Sequence, residues 1–386
     1  MPRLFISTGE VSGDLQGALL IAALQRQAAQ RGITLEILGL GGDRMAAAGA
    51  HLLSNTSGIG SVGLIEALGF IWPTLRLQRR TYRYLRQHPP DLVVLIDYLS
   101  GNVPLGSFIR RHFDVPIIYY IAPQEWVWSI SPRATQKIIE LSDRLLAIFP
   151  EEARYYTAHG GNVAWVGHPL VDRMATAPDR QTARQQLGLL PDQVAIALFP
   201  ASRQQEIKSL LPIIFAAARQ IQDQLSQSYF YIPLALEKYR QPITAAIRAY
   251  GLQATLVEDP LLALAAADLA IAKSGTVNLE AALVNVPQVV IYRVNPIGLW
   301  LYQTFLKFKL QYASPVNLVE MQPIVPELLQ DQATPDSIAT VALELLLNPE
   351  ARQQMQQGYQ QMQQSLGEIG AVDRAAEAIL ECLRSI

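Results

Sequence analysis

The amino-acid sequence predicts an α/β protein with two doubly wound, Rossmann-like domains that face each other across a cleft. Three observations lead to this prediction. Short apolar runs alternate with longer segments of helical periodicity, the alternation occurs in two successive series, and a small, polar, proline-containing segment separates the series. Many runs are apolar at consecutive positions, as expected for strands buried on both faces of a parallel sheet. With 386 residues, the chain is long enough for two separate cores.

The strand-like runs follow one another in two series. The first series comprises Leu4–Ser7, Leu35–Leu38, Leu92–Ile96, Ile117–Ile121, Leu145–Phe149 and Val163–Val166. The second comprises Ala195–Phe199, Tyr229–Pro233, Thr255–Val257, Leu269–Ala272 and Val289–Tyr292. Intervening segments such as Gly17–Arg31 and Ile207–Gln224 have helical spacing. The break at Ala175–Arg184 predicts an N-terminal domain of residues 1–174 and a C-terminal domain of residues 175–386. An alternative is that the last helix of the chain packs against the N-terminal domain.

The composition narrows the cellular setting. Half of the residues are apolar, 17% are charged and the net charge is −2, so no global field attracts nucleic acid. The single cysteine, Cys382, excludes an intramolecular disulfide and a multi-cysteine metal site, which fits a reducing compartment. The first residues lack an export-signal pattern, and charges interrupt the apolar stretches before about 18 residues. We therefore expect a cytoplasmic protein.

A glycine-rich loop with two acids lies between the first strand and the first helix. Gly9 permits a close backbone approach, and Glu10, Ser12 and Asp14 offer oxygen atoms at the helix start. Two carboxylates suit the hydroxyl groups of a sugar better than a phosphate. An equally supported interpretation is that Ser12 or Asp14 only caps the helix.

Three further candidates in the first half follow strand-like runs. Asp97 ends the run Leu92–Ile96, where doubly wound folds bind ligands, and could accept a proton from a hydroxyl group; a turn aspartate is equally supported. Trp126 belongs to an aromatic stretch suited to sugar faces or acyl chains, although core packing is the commoner role. His168 could contact phosphate or act as a base, but a lone histidine in a turn is usually structural.

The second half repeats the arrangement of strand, loop and helix start. Arg203, beside Ser202, is placed to stabilise charge on a departing diphosphate. Backbone and hydroxyl donors follow a later strand at Ser274, Gly275 and Thr276. Glu280, about one turn along that helix, could hold both hydroxyls of a ribose. The alternative, a capped helix with a surface glutamate, is credible for either motif alone.

Two stretches indicate a membrane surface. Gly58–Pro73 is apolar apart from Glu66, and five arginines without an intervening acid follow it: Arg76, Arg79, Arg80, Arg83 and Arg86. Ile297–Leu310 combines aromatic and basic residues. Such combinations are typical of segments at an interface with anionic headgroups. The alternative is a core helix with solvated arginines.

Taken together, the motifs resemble those of the lipid-A-disaccharide synthase family, inverting glycosyltransferases of the GT-B type. The resemblance runs from residue 4 to about residue 330, and its specificity lies in the order and spacing of the motifs. They are Gly9–Asp14, Gly41–Met45, Ser61–Glu66, Tyr120–Pro123 with Trp126 and Trp128, Gly167–Asp172, Ser202-Arg203 with Glu206, Ser274–Thr276, Leu279–Leu283, Tyr292-Arg293 and Asn317 with Pro326–Leu329.

The resemblance implies transfer of 2,3-diacylglucosamine from its UDP derivative to 2,3-diacylglucosamine 1-phosphate, giving a β-1,6-linked disaccharide phosphate and UDP. It implies no cofactor and no metal ion. Asp97 would be the general base, with Glu10 or His168 as the fallback, and Gly9, Ser12, Asp14 and Trp126 would contact substrate. The UDP site would contain Ser202, Arg203, Ser274, Gly275, Thr276, Glu280 and Asn317. The protein is expected to bind peripherally to the cytoplasmic face of the inner membrane. The resemblance is also compatible with a homodimer.

The chain departs from the family pattern at three places. After Asp97, a proline and a second acid are replaced, with Ser100 where that acid is expected; Ala201 replaces a glycine; and Glu320–Pro323 replaces an Ala-Gly-Arg-Glu segment. Two alternatives stay open. One is a GT-B enzyme with a different lipid or sugar acceptor, or more remotely a sugar-nucleotide epimerase of similar fold. The other is a non-catalytic relative that binds lipid or nucleotide.

Overall fold

The structure, a computed structural model, describes residues 1–56, 67–128, 132–200, 204–234, 236–293 and 312–384. It divides into two compact units, one of Met1–Asp172 with Leu366–Ile386 and one of Arg173–Ser365. The division after Asp172 lies close to the sequence-based boundary after residue 174. Residues 366–386, which the linear division gave to the C-terminal domain, belong to the first unit.

The first unit contains a seven-stranded sheet in which every pair is parallel. Its strands are β1 (Arg3–Ser7), β2 (Glu36–Gly41), β3 (His51–Asn55), β4 (Leu92–Ile96), β5 (Ile117–Tyr120), β6 (Arg144–Ala147) and β7 (Val163–Trp165). Their order is β3-β2-β1-β4-β5-β6-β7. The central strand β4 is completely buried, which explains its uninterrupted apolar sequence.

The second unit contains a six-stranded parallel sheet. Its strands are β8 (Val194–Phe199), β9 (Ser228–Pro233), β10 (Ala254–Val257), β11 (Leu269–Lys273), β12 (Gln288–Tyr292) and β13 (Glu327–Leu329). The order β10-β9-β8-β11-β12-β13 repeats the doubly wound pattern of the first sheet. The prediction of two doubly wound parallel sheets is therefore confirmed.

Helices connect the strands in both units. Those that begin in the first unit are Val11–Gln30, Asp43–Ala47, Ala67–Gln87, Leu99–His112, Glu125–Trp128, Pro132–Leu141, Pro150–Ala158, Pro169–Met174 and Ala371–Arg384. Those that begin in the second are Arg180–Gln186, Gln204–Gln224, Arg240–Tyr250, Pro260–Ala266, Thr276–Leu283, Pro315–Glu320, Pro335–Leu347 and Pro349–Leu366, with short 3₁₀ turns at Glu237–Tyr239 and Gln330–Gln332. None of the described helices is both long and apolar enough to span a bilayer.

The last helix, Ala371–Arg384, packs against the first helix, Val11–Gln30. Its apolar face is buried, and the carboxylate of Asp172 accepts hydrogen bonds from the backbone N–H groups at its start, including that of Val372 at 2.8 Å. An acid at a helix N-terminus satisfies N–H groups that have no partner within the helix. This cap and the apolar face account for the place of the C-terminus in the first unit.

Candidate functional site

In each sheet the strand order reverses once, between β1 and β4 in the first unit and between β8 and β11 in the second. Doubly wound proteins bind ligands outside the carboxyl ends of the strands at such reversal points. Glu10 follows β1 and Asp97 follows β4, so the first reversal point brings these two predicted residues together. The loop Ser274–Thr276 follows β11 at the second, whereas Ser202 and Arg203 lie outside the described residues.

Asp97 is held in an unusual backbone conformation. Its φ of 47° and the φ of 50° at Tyr98 place two consecutive non-glycine residues in the left-handed region. Such residues cost about 1–3 kcal/mol each and concentrate at functional sites. The N–H of Asp97 donates to the carbonyl of Ile121 at 3.1 Å, and its own carbonyl accepts from the Tyr119 hydroxyl at 2.9 Å. Burial raises the pKa of the Asp97 carboxyl, while the backbone N–H of Tyr98 opposes the rise.

Asn102 connects the two strands at the reversal point, a role that the sequence did not reveal. Its buried amide nitrogen donates to the carbonyl oxygens of Ile96 at 3.0 Å and Asp97 at 2.8 Å. Its amide oxygen accepts from the hydroxyl of Ser7, the last residue of β1, at 2.8 Å. Because both partners lie at carboxyl ends, Asn102 fixes the position of Asp97 relative to the loop after β1. Its only sequence signal was its place shortly after the candidate base.

The loop after β1 keeps only part of its predicted role. Glu10 is half-buried at the N-cap position of the first helix without capping it, Gly9 is buried and Ser12 is exposed. The Asp14 carboxylate instead accepts backbone hydrogen bonds from Gly42 at 2.8 Å and Met45 at 3.1 Å, as well as from Arg44 at 3.2 Å. Asp14 therefore caps the helix Asp43–Ala47, and a direct contact of Asp14 with substrate stays a prediction. The sheet pairing of β1 with β2 brings the two segments together.

His168 does not have the geometry of a general base. Its Nδ1 accepts the backbone N–H of Leu170 at 3.1 Å, so the neutral ring carries its proton on Nε2. Burial lowers the pKa of His168 to about 3. In this tautomer the ring is a hydrogen-bond donor on its free side, which counts against the fallback role of His168 as base; that role stays a prediction. The centroid of the His168 ring lies 5.0 Å from that of the Phe149 ring. The Phe149 centroid lies 5.9 Å from that of the half-buried Trp126 ring.

Glu152 is a second buried group that sequence reasoning missed. It is fully buried, and one carboxylate oxygen accepts from the N–H groups of Ile148 at 2.8 Å and Phe149 at 3.3 Å, just after β6. Burial raises its pKa to about 8, with those N–H groups opposing the rise. Burial therefore favours the uncharged form of Glu152, whose hydrogen bonds hold the loop that follows β6. An acid three residues into a helix reads as an ordinary surface residue in the sequence.

In the second unit, the helix Thr276–Leu283 begins directly after β11. The Ser274 hydroxyl donates internally to the carbonyl of Ala313 at 2.6 Å. Thr276, the first residue of the helix, is exposed. The space beside Gly275 is open, since the nearest atom to an added Cβ would be Lys273 Cε at 4.0 Å. The start of this helix thus leaves space for a ligand beside its N–H groups, as an anion site requires. The N–H of Gly275 donates to Oδ1 of Asn278 at 2.8 Å, so the backbone N–H of Thr276 is the better placed of the three predicted donors.

Glu280 is buried rather than on the surface, where the alternative interpretation had it. Its carboxylate forms an ion pair with Arg173, which is itself partly buried. Burial raises the pKa of Glu280, and Arg173 opposes the rise through its charge and its hydrogen bond. A buried carboxylate with one partner retains capacity to accept further hydrogen bonds.

Asn317 is engaged within the protein. Its side chain exchanges hydrogen bonds with the backbone of Val325 at 2.8 and 2.9 Å and donates to Glu327 at 2.7 Å. Glu327 also accepts the N–H groups of Ala313 and Ser314. These contacts hold the segment after Asn317 in place, so a direct contact of Asn317 with UDP stays a prediction. Over the described ranges, no group of three or more His, Cys, Asp or Glu side chains is arranged to hold a metal ion.

Solved structures with the same architecture define the class. A UDP-N-acetylglucosamine 2-epimerase, described as putative, from Listeria monocytogenes superposes with a TM-score of 0.66 at 16% identity, covering 100% of this chain and 97% of its own. The calicheamicin glycosyltransferase CalG4 superposes with a TM-score of 0.60 at 16% identity, covering 100% and 98%. At such identities the likeness concerns the fold alone. The chain thus has the GT-B fold, which glycosyltransferases share with these epimerases.

Sequence comparison is more specific. The family model described as lipid-A-disaccharide synthetase matches residues 4–381. The lipid-A-disaccharide synthase of Gloeothece citriformis is 58% identical over 381 residues, covering 98% of this chain and 99% of its own. That of Synechocystis sp. is 51% identical over 383 residues, covering 98% and 97%. The chain belongs to the lipid-A-disaccharide synthase family, which confirms the resemblance drawn from its motifs.

Proposed function

We propose that the chain transfers 2,3-diacylglucosamine from its UDP derivative to the 6-hydroxyl of 2,3-diacylglucosamine 1-phosphate. The full-length family match, residues 4–381, carries this proposal. The first unit would hold the acceptor and its acyl chains near the reversal point between β1 and β4, and the second would hold the UDP donor. The products are a β-1,6-linked disaccharide 1-phosphate and UDP.

The proposed chemistry is a single displacement with inversion. The acceptor oxygen O6 forms a bond to C1 of the donor sugar while the bond between C1 and the diphosphate oxygen breaks. Asp97 takes the proton from O6, and UDP leaves with the electron pair of the broken bond. The raised pKa of Asp97 favours this role, because it brings the base closer to the pH at which the enzyme operates.

The second unit would stabilise the leaving group. Arg203 and the N-terminus of the helix Thr276–Leu283 would balance the charge on the diphosphate, and Glu280 would accept hydrogen bonds from the ribose hydroxyls. This arrangement supplies positive potential from the protein itself. We therefore propose that transfer needs neither a metal ion nor a cofactor.

A radiolabel assay tests the reaction. Donor labelled in the sugar is incubated with acceptor, with and without EDTA, and labelled disaccharide and UDP are quantified. We expect equal amounts of the two products and the same rate in EDTA. Disaccharide formation with a different acceptor only, or an epimerised UDP-sugar without acceptor, would support the alternative enzymes. UDP binding without any product would support a non-catalytic relative and contradict the proposal.

We also propose that the protein binds the cytoplasmic membrane surface peripherally. Five exposed arginines lie on the helix Ala67–Gln87. Arg86 contacts His112 at 3.0 Å, whereas no described acid forms an ion pair with Arg79, Arg80 or Arg83. Unpaired basic side chains of this kind are attracted to anionic headgroups. The apolar stretch up to residue 66 and the stretch Ile297–Leu310 lie outside the described residues.

Neutralising Arg79, Arg80 and Arg83 together to glutamine should weaken binding to phosphatidylserine-containing vesicles about 10²-fold at low salt, since each basic residue contributes about 1 kcal/mol. Co-sedimentation with vesicles measures the effect, which should shrink as salt rises. The matched control neutralises three arginines exposed elsewhere, Arg154, Arg219 and Arg248. Equal binding by both triple variants would contradict a specific role for the helix.

A further inference from the structure

Tyr98 occupies the centre of the reversal point in the first unit. Its ring is half-buried, and the edge formed by Cδ1 and Cε1 lies against the Cα atoms of Gly9 and Gly101. A Cβ added at either glycine would enter the ring well inside the 3.0 Å limit that real Cβ contacts keep. Neither glycine has a positive φ. Both positions therefore need glycine because the tyrosine ring comes so close.

The two glycines belong to different segments of the chain. Gly9 lies in the loop after β1, and Gly101 lies in the first turn of the helix Leu99–His112, which follows β4. The ring thus joins the loop that carries Glu10 to the helix start that follows Asp97. The Tyr98 hydroxyl hydrogen-bonds the Ser100 side chain and lies in the field of the Glu10 carboxylate.

The backbone of Tyr98 acts directly on its neighbour. Its N–H group hydrogen-bonds the Asp97 carboxylate, and its left-handed conformation continues that of Asp97. A tyrosine does not adopt this conformation without a stabilising contact. The wedged ring supplies such a contact, since leaving the left-handed region would move the ring away from both glycines.

We propose that Tyr98 is a positioning residue that holds Asp97 in its reactive orientation by wedging its ring against Gly9 and Gly101. The effect on turnover rests on the proposed function, in which Asp97 takes the acceptor proton. The wedge itself is a property of the fold and is measurable without turnover. The positioning effect comes from the aromatic ring of Tyr98 more than from its hydroxyl group.

Four variants test the wedge through kinetics. Tyr98→Ala should lower kcat about 10²-fold, the effect of misplacing a catalytic group by about 1 Å, with UDP affinity unchanged. Tyr98→Phe keeps the ring and should stay within about fivefold of the parent chain. Gly101→Ala should lower kcat like Tyr98→Ala, because the added Cβ would displace the tyrosine ring. Gly106→Ala is the matched control in the same helix, where a Cβ would meet Leu95 Cδ1 at 3.2 Å and leave the tyrosine ring untouched.

Hydrogen exchange measured by mass spectrometry provides the readout that does not depend on activity. Peptides that cover residues 8–10 and 97–102 should exchange faster in Tyr98→Ala and Gly101→Ala than in the parent chain, Tyr98→Phe or Gly106→Ala. Unchanged exchange in the first two variants would overturn the proposal even if no disaccharide is formed. A Tyr98→Phe variant as impaired as Tyr98→Ala would overturn it too, because the ring would then not be sufficient. If the parent chain lacks turnover but shows the exchange pattern, the proposed function fails and the wedge stands.

Discussion

Asp97→Asn is expected to lower kcat about 10²- to 10⁴-fold, the usual contribution of a general base, while UDP affinity stays nearly intact. Asparagine has the shape of aspartate and tolerates the left-handed backbone that this position requires. Its side-chain oxygen can still accept the N–H of Tyr98. The substitution therefore removes the basicity of the group with little change to the surrounding structure.

The pH dependence of kcat provides a second test of the general-base role with the same Asp97→Asn variant. Asp97 must be ionised to accept a proton, and burial raises its pKa above the ordinary range. Activity should therefore rise with pH through this raised pKa, and the acidic limb should disappear from the residual activity of Asp97→Asn. The charge of Asp97 in turn raises the pKa values of two buried neighbours, Tyr119 and Glu152. With a pKa of about 8, Glu152 is uncharged in the acidic range and does not distort the limb.

Asp91 provides the matched control for this experiment. It precedes β4, so it lies at the amino end of the strand that Asp97 follows, and its carboxylate accepts the backbone N–H of Arg3 at 2.6 Å. Asp91→Asn should leave turnover and its pH profile unchanged. Equal losses of turnover and UDP affinity in Asp97→Asn would contradict the general-base role, because such a pattern indicates a disturbed fold or a binding role.

The regular part of the fold could be predicted because burial leaves a direct trace in the sequence. β4 is apolar at every position since both of its faces are covered. The two strands that were not predicted, β3 and β13, lie at sheet edges and are partly exposed, so their sequences His51–Asn55 and Glu327–Leu329 lack such a run. The alternation of strands and helices then sufficed for the architecture.

The candidate site could be located by its position after strands, but the role of each side chain could not. Asp97 and Glu10 were found because doubly wound folds bind ligands outside the carboxyl ends of their central strands. Asp14 was predicted to contact substrate together with them. Its carboxylate caps the helix Asp43–Ala47, which lies nearby only because β1 pairs with β2. The contacts of Asn317 could not be predicted either, because its partner Glu327 belongs to β13, which pairs with β12 in the sheet. Contacts between distant segments carry no local sequence signal.

Glu280→Ala is expected to weaken UDP binding about 10- to 100-fold, since hydrogen bonds to a charged group contribute about 1.5–3 kcal/mol. The loss should appear in isothermal titration with UDP and be smaller with uracil derivatives that lack the ribose hydroxyls. Glu280→Gln, which keeps the size of the side chain and its acceptor oxygen, should give an intermediate affinity. An unchanged affinity in Glu280→Ala would remove the ribose assignment.

The ion pair with Arg173 allows the charge of Glu280 to be tested separately from its presence. Arg173 opposes the effect of burial on the pKa of Glu280, so Arg173→Met should raise that pKa further. The carboxyl is then protonated over more of the acidic range, and UDP affinity in this variant should fall as pH is lowered, more steeply than in the parent chain. Glu280→Ala has no such group to titrate and should lack this slope. If Arg173→Met and Glu280→Ala show the same pH-independent loss, the pair serves the local structure, and the ribose must be held by other groups.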